Sequence, residues 1–183
     1  MRNVIKIASV AVSIFSLITL AGCGGATDSV KTVSEPTQTK TQTVAVPLDA
    51  TGTANQIKAG VSTVIKVVTL TEANDANNLI GRPNGYTSAA VLYDNAVAVG
   101  NGDKCDDFGG PGVDCGATVE VWSSNADANA RAKYIQTLQK GSAMLGSEWD
   151  YIGGGVLVRV SGKLKPSEAK NYNKVFGGTL FTL

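Results

Sequence analysis

Between the cations Arg2 and Lys6 and the small pair Ala21-Gly22 lies an uncharged apolar run, Ile7 to Leu20, and Cys23 follows directly. This is the order of an export signal: a positive start, an apolar stretch, then small residues before a cleavage point. The run falls short of the roughly 20 apolar residues that cross a bilayer as a permanent helix. Leu20-Ala21-Gly22-Cys23 also reads as a lipobox, in which the cysteine thiol takes a diacylglyceryl group before cleavage. The feature decides which residues are left to fold. Residues 1–22 are expected to be a signal peptide, and Cys23 the lipid-bearing first residue of the mature chain, with palmitate among its acyl groups. Each buried acyl methylene stabilises membrane binding by about 0.8 kcal/mol, so several chains on one residue hold a protein firmly. The expected location is the outer, extracytoplasmic face of the cell membrane.

Removing residues 1–22 takes Arg2 and Lys6 from the 16 basic side chains and leaves the 15 acidic ones, a formal net charge of −1. A near-neutral chain gives no electrostatic reason to expect a nucleic-acid partner. From Gly24 to about Ala50 the sequence is rich in Thr, Gln, Ser and Lys, with Pro36 and Pro47. Such a composition buries too little apolar surface to offset the entropy of ordering, so residues 23–50 are expected to be a disordered tether. Residues 51–183 then form one domain.

Within that domain the hydrophobic periodicity alternates. Thr53 and Gln56 form a capping-box pattern, with Ala54, Ile57 and Val61 at helical spacing behind it. Val64 to Thr71 reads as a strand with Ile65, Val67 and Thr69 on one side, and Tyr86 to Tyr93 as a second. Ala96 to Gly102 continues that strand or forms a short partner. A third strand sets Ala117, Val119 and Val121 against Thr118, Glu120 and Trp122. Ser124 starts a helix with the apolar stripe Ala128, Ala132, Ile135 and Leu138, and Gly141 stops it. Val156, Val158 and Val160 mark a fourth strand. Pro166 opens a last helix, with Ala169, Tyr172 and Phe176 on one face and Gly177-Gly178 beyond its end. The expected fold is α+β: a two-layer sandwich of about four strands with helices on one face.

Four segments of this domain, NDANNLIGRPNGY (74–86), ATVEVW (117–122), ARAKYIQTLQK (130–140) and EWDYIGGGVLVRVSGKLKPSEAKNY (148–172), resemble an uncharacterised family of small lipoproteins from Gram-positive bacteria, chiefly actinobacteria. Where that family often has proline, this chain has Ala76. The resemblance implies an extracytoplasmic location and the domain limits given above, and it carries over no catalytic residue.

With Cys23 assigned to lipid, Cys105 and Cys115 remain, ten positions apart in an exported chain, and are expected to form a structural disulfide. Closing so short a loop restricts the unfolded chain by about 2.5–3 kcal/mol on the chain-entropy account. The loop around them, NGDKCDDFGGPGVDC, gathers Asp103, Asp106, Asp107 and Asp114 with glycines, the kind of oxygen-rich turn a calcium ion takes. It lacks the D-x-D-x-D-G spacing and the distal Glu, so the reading is an acidic hairpin tip, with no cofactor beyond the lipid.

The chain has no histidine, which removes Ser-His-Asp and Cys-His sites and imidazole metal centres. Ser167 and Lys170 fit S-x-x-K, and Ser123-Ser124-Asn125 a loose S-x-N, but the K-T-G strand of penicillin-recognising enzymes is missing. Gly81 to Gly85 is glycine-rich without the G-K of a phosphate loop and reads as a turn. Glu148-Trp149-Asp150-Tyr151 sets two carboxylates beside two aromatics, a composition that suits sugar contact or glycoside chemistry. Two functions stay open. One is a non-catalytic binding module for an envelope protein or glycan, using loops 72–86 and 102–116. The other is a small carboxylate enzyme acting on cell-wall glycans through Glu120, Glu148 and Asp150.

Overall fold

A computed structural model describes residues 49–98, 105 and 110–183. The expected signal peptide, Cys23 and residues 24–48 of the expected tether lie outside the described residues, as do Asp103, Asp106 and Asp107, whereas the last two tether positions, Asp49 and Ala50, belong to the folded domain, with Ala50 buried.

The element order is α1 (Ala50–Gly60), β1 (Val64–Thr69), β2 (Ser88–Asp94), a single turn α2 (Asn95–Ala98), β3 (Gly116–Val121), α3 (Asn125–Gly141), β4 (Glu148–Gly153), β5 (Val156–Ser161), α4 (Pro166–Phe176) and β6 (Thr179–Leu180). Two 3₁₀ turns, Val113–Cys115 and Ala143–Leu145, precede β3 and β4. The strands form one antiparallel sheet in the order β1-β2-β3-β5-β4-β6. Both β3 and β4 run antiparallel to β5, so β3 and β4 share a direction. Helix α3 therefore joins strands that leave a gap between them, and β5 fills it.

The α+β class agrees with the sequence reading, and two details differ. The sheet has six strands, because Glu148–Gly153 is a strand of its own and Thr179–Leu180 adds a short edge. The first follows from the glycine run: Gly154 and Gly155 have φ of 59° and 83°, between the paired residues Gly153 and Val156. Positive φ at both central positions is what a tight two-residue hairpin turn needs.

The second difference concerns the layers. Helices α1 and α4 pack on one face, where Ala54, Ile57, Ala169 and Tyr172 meet Leu92, Val119, Val158 and Val160. Helix α3 packs on the other, its Ala128 and Ala132 against Trp122, Ile152 and Leu157. Loop 72–86 covers the rest of that second face, bringing Leu79 and Ile80 toward Tyr86, Ala89 and Val91. The helices are thus on both faces, in three layers. The mixed alternation of β3 and β5 hid this, since Thr118, Glu120 and Arg159 look like solvent-side residues and are all buried.

Local starts and stops follow ordinary chemistry. Helix α1 begins before Thr53: Asp49 is its N-cap, with Oδ1 accepting from Gly52 N at 2.7 Å, and Thr53 is buried inside the helix. Ser124 caps α3 by accepting from Asp127 N at 3.1 Å. Leu138, expected in the buried stripe of α3, is 43% exposed. At the outer strand β1, a bulge between Val64 and Lys66 turns Ile65 outward, while Val67 still packs on the core. Of the expected strand Ala96 to Gly102, residues 96–98 belong to the turn α2, and residues 99–102 lie outside the described residues. Buried Asp94 ties α4 to the sheet, accepting from Tyr172 Oη at 2.6 Å and Thr63 Oγ1 at 2.8 Å. Burial and the Asp94 carboxylate hold the Tyr172 phenol well above its ordinary pKa.

Gly116 opens β3 with φ of 146°, and a Cβ there would lie 2.7 Å from Asp94 Cβ and 2.8 Å from the Leu92 carbonyl oxygen. Gly116→Ala should lower the urea-derived stability by about 2–4 kcal/mol. Gly141→Ala, where a Cβ meets nothing within 4 Å, should leave it unchanged or raise it by up to about 1 kcal/mol.

Candidate functional site

The sheet face beneath α3 carries charge in place of a wholly apolar core. Alternation along the strands sends Glu120 (β3), Glu148 and Asp150 (β4) and Arg159 (β5) to this face, and Asp150 is the register partner of Arg159. The Arg159 guanidinium joins two of the three carboxylates. Its Nε and Nη2 donate to Glu148 Oε2 and Oε1 at 2.7 and 2.8 Å, a bidentate pair, and its Nη1 donates to Glu120 Oε1 at 2.7 Å. Trp122 Nε1 donates to Glu120 Oε2 at 3.2 Å, and Gln139 Nε2 donates to Glu148 Oε1 at 2.9 Å. Arg131 of α3 reaches down as well: its Nε is 3.5 Å from Glu120 Oε2, an ion contact without hydrogen-bond geometry, and its Nη2 donates to Asn77 Oδ1 at 3.2 Å. Burial works against the charge on Arg159, yet Glu120 and Glu148 outweigh it and raise its pKa.

Asp150 stands apart from this pairing. It is fully buried. Oδ2 accepts from Gln136 Nε2 at 2.9 Å, while Oδ1 has no hydrogen-bond partner among the described residues. Burial, with the nearby Glu148 charge second, pushes its carboxyl pKa up to about 7, against smaller opposing contributions from Gln136 and Arg159. The end of the chain closes over it: Phe181 N donates to the Asp150 carbonyl at 2.8 Å, and Gln136 Nε2 also reaches the Phe181 carbonyl at 3.4 Å.

Above the ionic cluster, between α3 and loop 72–86, lies an open groove of about 640 Å³. Arg131, Arg159, Glu148 and Gln139 form its polar floor, and Leu79, Tyr134, Leu138 and Leu145 its apolar sides. Tyr134, Leu138 and Leu145 are 57%, 43% and 54% exposed. The loop wall is fastened by Asp75, whose carboxylate accepts from the backbone N–H of Asn77, Leu79 and Ile80 and from the Tyr86 hydroxyl. Burial opposes the charge on Asp75, but those hydrogen bonds prevail and hold its pKa below the ordinary value. Asn78 and Asn84 take left-handed conformations in the same loop, and a Cβ on Gly85 would collide with the Leu79 carbonyl. The GRPNG segment is therefore a set turn. A second groove of about 400 Å³ runs along the β4 edge, lined by Trp149, Glu148, Gln136 and Phe181 among others.

The other sequence candidates fall elsewhere. Cys105 and Cys115 are joined, with Cα atoms 5.0 Å apart. Asp114 is largely exposed and faces Lys163 Nζ at 3.4 Å. No group of three or more metal-ligating side chains is found among the described residues. Ser167 and Lys170 lie in α4, on the far side of the sheet from Ser123–Asn125, so the two half-motifs do not meet. Among the described residues no helix is long and apolar enough to cross a membrane. Arg159, Arg131, Gln136 and Gln139 were not singled out from the sequence. The sequence carries little signal for them, since Arg159 alternates with Val158 and Val160 as a solvent-facing residue would.

No family model, curated protein or solved structure matches the chain.

The cluster has two measurable consequences. Glu120→Ala leaves part of the buried Arg159 and Trp122 unpaired and should cost about 3–5 kcal/mol in chemical unfolding. Asp150 acts in the opposite sense. Burial raises its pKa from 3.8 to about 7, so its contribution is fully present below the lower value and lost as pH rises through the upper. The stability of Asp150→Asn relative to the parent chain should therefore grow by about 2–3 kcal/mol between pH 5 and pH 8.

Proposed function

We propose that the protein is a membrane-anchored, extracytoplasmic lipoprotein whose folded domain is a non-catalytic interaction module, with the α3 side of the sheet as its working face. The supporting observation is the state of the carboxylates. Glu120, Glu148 and Asp150 converge as the enzyme reading requires, yet none is free to act on a substrate. Glu120 and Asp150 are buried, and both oxygens of Glu148 accept from Arg159. Acid–base work on a glycosidic bond needs two carboxyls facing one substrate. Here two are bound to one guanidinium, and the third, though tuned to about pH 7, lines neither groove on this side.

The groove beside the cluster favours binding. It combines a rigid loop wall, a polar floor and exposed apolar sides, the mixture by which concave sites hold a partner. The lipobox at Leu20–Cys23 supplies the location, and the cysteine pair suits an oxidising compartment.

Mass spectrometry of the chain purified from membranes should find a mature N-terminus at a diacylated Cys23. Incubating that protein with cell-wall glycan fragments should leave every fragment mass unchanged. Product release that Glu148→Gln abolishes would establish the enzyme reading instead.

A further inference from the structure

The C-terminal half of α3 and the 3₁₀ turn after it present an unusual surface. Tyr134, Leu138 and Leu145 are exposed along the groove, and Met144, at the tip of the turn, is 96% exposed. Four large apolar side chains within twelve positions of sequence, all facing solvent, exceed the scattered apolar exposure of an ordinary surface. The charge of the same stretch is one-sided. From Ala128 to Ser147 the sequence holds Arg131, Lys133 and Lys140 and no acidic side chain. Lys133 and Lys140 are exposed and lie outside the groove itself, Lys140 beside the second groove along β4, whereas Arg131 is turned toward Glu120. A net charge close to zero for the whole chain conceals this local excess.

We infer that this face docks on an anionic lipid surface: the bilayer to which Cys23 is attached. Met144 and Leu145 enter the interfacial region, Tyr134 lies at headgroup level, and Lys133 and Lys140 meet the lipid phosphates. Polarity, charge and tether length favour that occupant. Protruding apolar residues beside lysines match a bilayer interface in both polarity and charge. Each lysine near an anionic surface contributes modestly, so apolar insertion and charge act together. Lastly, the 27 residues from Cys23 to Asp49 span at most about 95 Å, which keeps the domain within reach of the membrane at high local concentration. The inference rests on the lipoprotein reading and names the partner of its working face. Docking would also cover the mouth of the groove above Arg131 and Glu148.

The test uses the lipidated full chain in vesicles, with a nitroxide on Met144→Cys and, as control, on Lys174→Cys of α4 on the opposite face. The disulfide and the lipid occupy the native cysteines, so each variant has one free thiol. In vesicles containing phosphatidylglycerol, the ratio of oxygen to nickel-chelate accessibility at position 144 should exceed that at 174 by at least threefold. It should fall toward the control value in pure phosphatidylcholine, and when Lys133→Glu and Lys140→Glu are combined. Equal accessibility at 144 and 174 in the anionic vesicles would overturn the inference. So would immobilisation of the label without vesicles together with a doubled sedimenting mass, which would assign the face to a second copy. Neither result touches the non-catalytic reading, which fails only by glycan turnover.

Discussion

The Arg159 guanidinium is the interaction on which one half of this molecule depends. A cation enclosed between a sheet and a helix is costly to desolvate unless its donors are met. Here three of its N–H groups reach Glu120 and Glu148 at 2.7–2.8 Å. Those acceptors come from different strands, so the guanidinium links β3, β5 and β4 side by side. Gln139 and Arg131 of α3 then contact the same two carboxylates, which places the helix over this end of the sheet. The second face is therefore held by geometry-specific polar contacts as well as by Ala128, Ala132 and Trp122. The first face, with α1 and α4, is built mainly of apolar packing.

That division has a consequence for chemistry. Convergent carboxylates and a carboxyl shifted to about pH 7 are features by which active sites are often found. The same features arise when an ion network is buried to orient a helix. Access separates the two cases. Asp150 is shifted chiefly by its burial beneath α3 and the Phe181 segment, and on the proposed non-catalytic reading that same enclosure limits access to it. The exposed features of this half of the molecule are the ridge of α3, the turn Ala143–Leu145 and the rigid loop held by Asp75.

Much of the architecture was legible in the residues. The alternation of Ala117, Val119 and Val121, the Ser124 cap, and Pro166 with Gly177 around the last helix each state a local preference that packing keeps. The cysteine pairing was legible from the spacing of Cys105 and Cys115 once an oxidising compartment was expected. What could not be read was burial of charge. Glu120 and Arg159 alternate with valines as solvent-facing residues would, and only the crossing of α3 over β4 and β5 encloses them. The same limit applied to Leu138, whose helical spacing suggested burial although the groove leaves it open. The glycine hairpin at Gly154-Gly155 was available in principle, since adjacent glycines between valine-rich and aromatic runs are a turn signal.

Glu148 is committed to Arg159 as a structural partner. A double-mutant cycle in chemical unfolding, with Glu148→Gln, Arg159→Met and the double variant, tests it most directly. The coupling energy should be about 2–3 kcal/mol, with the double variant folded and more stable than the sum of the single losses implies. A coupling below about 0.5 kcal/mol would contradict it, because a carboxylate so weakly bound to its guanidinium would be free for other chemistry.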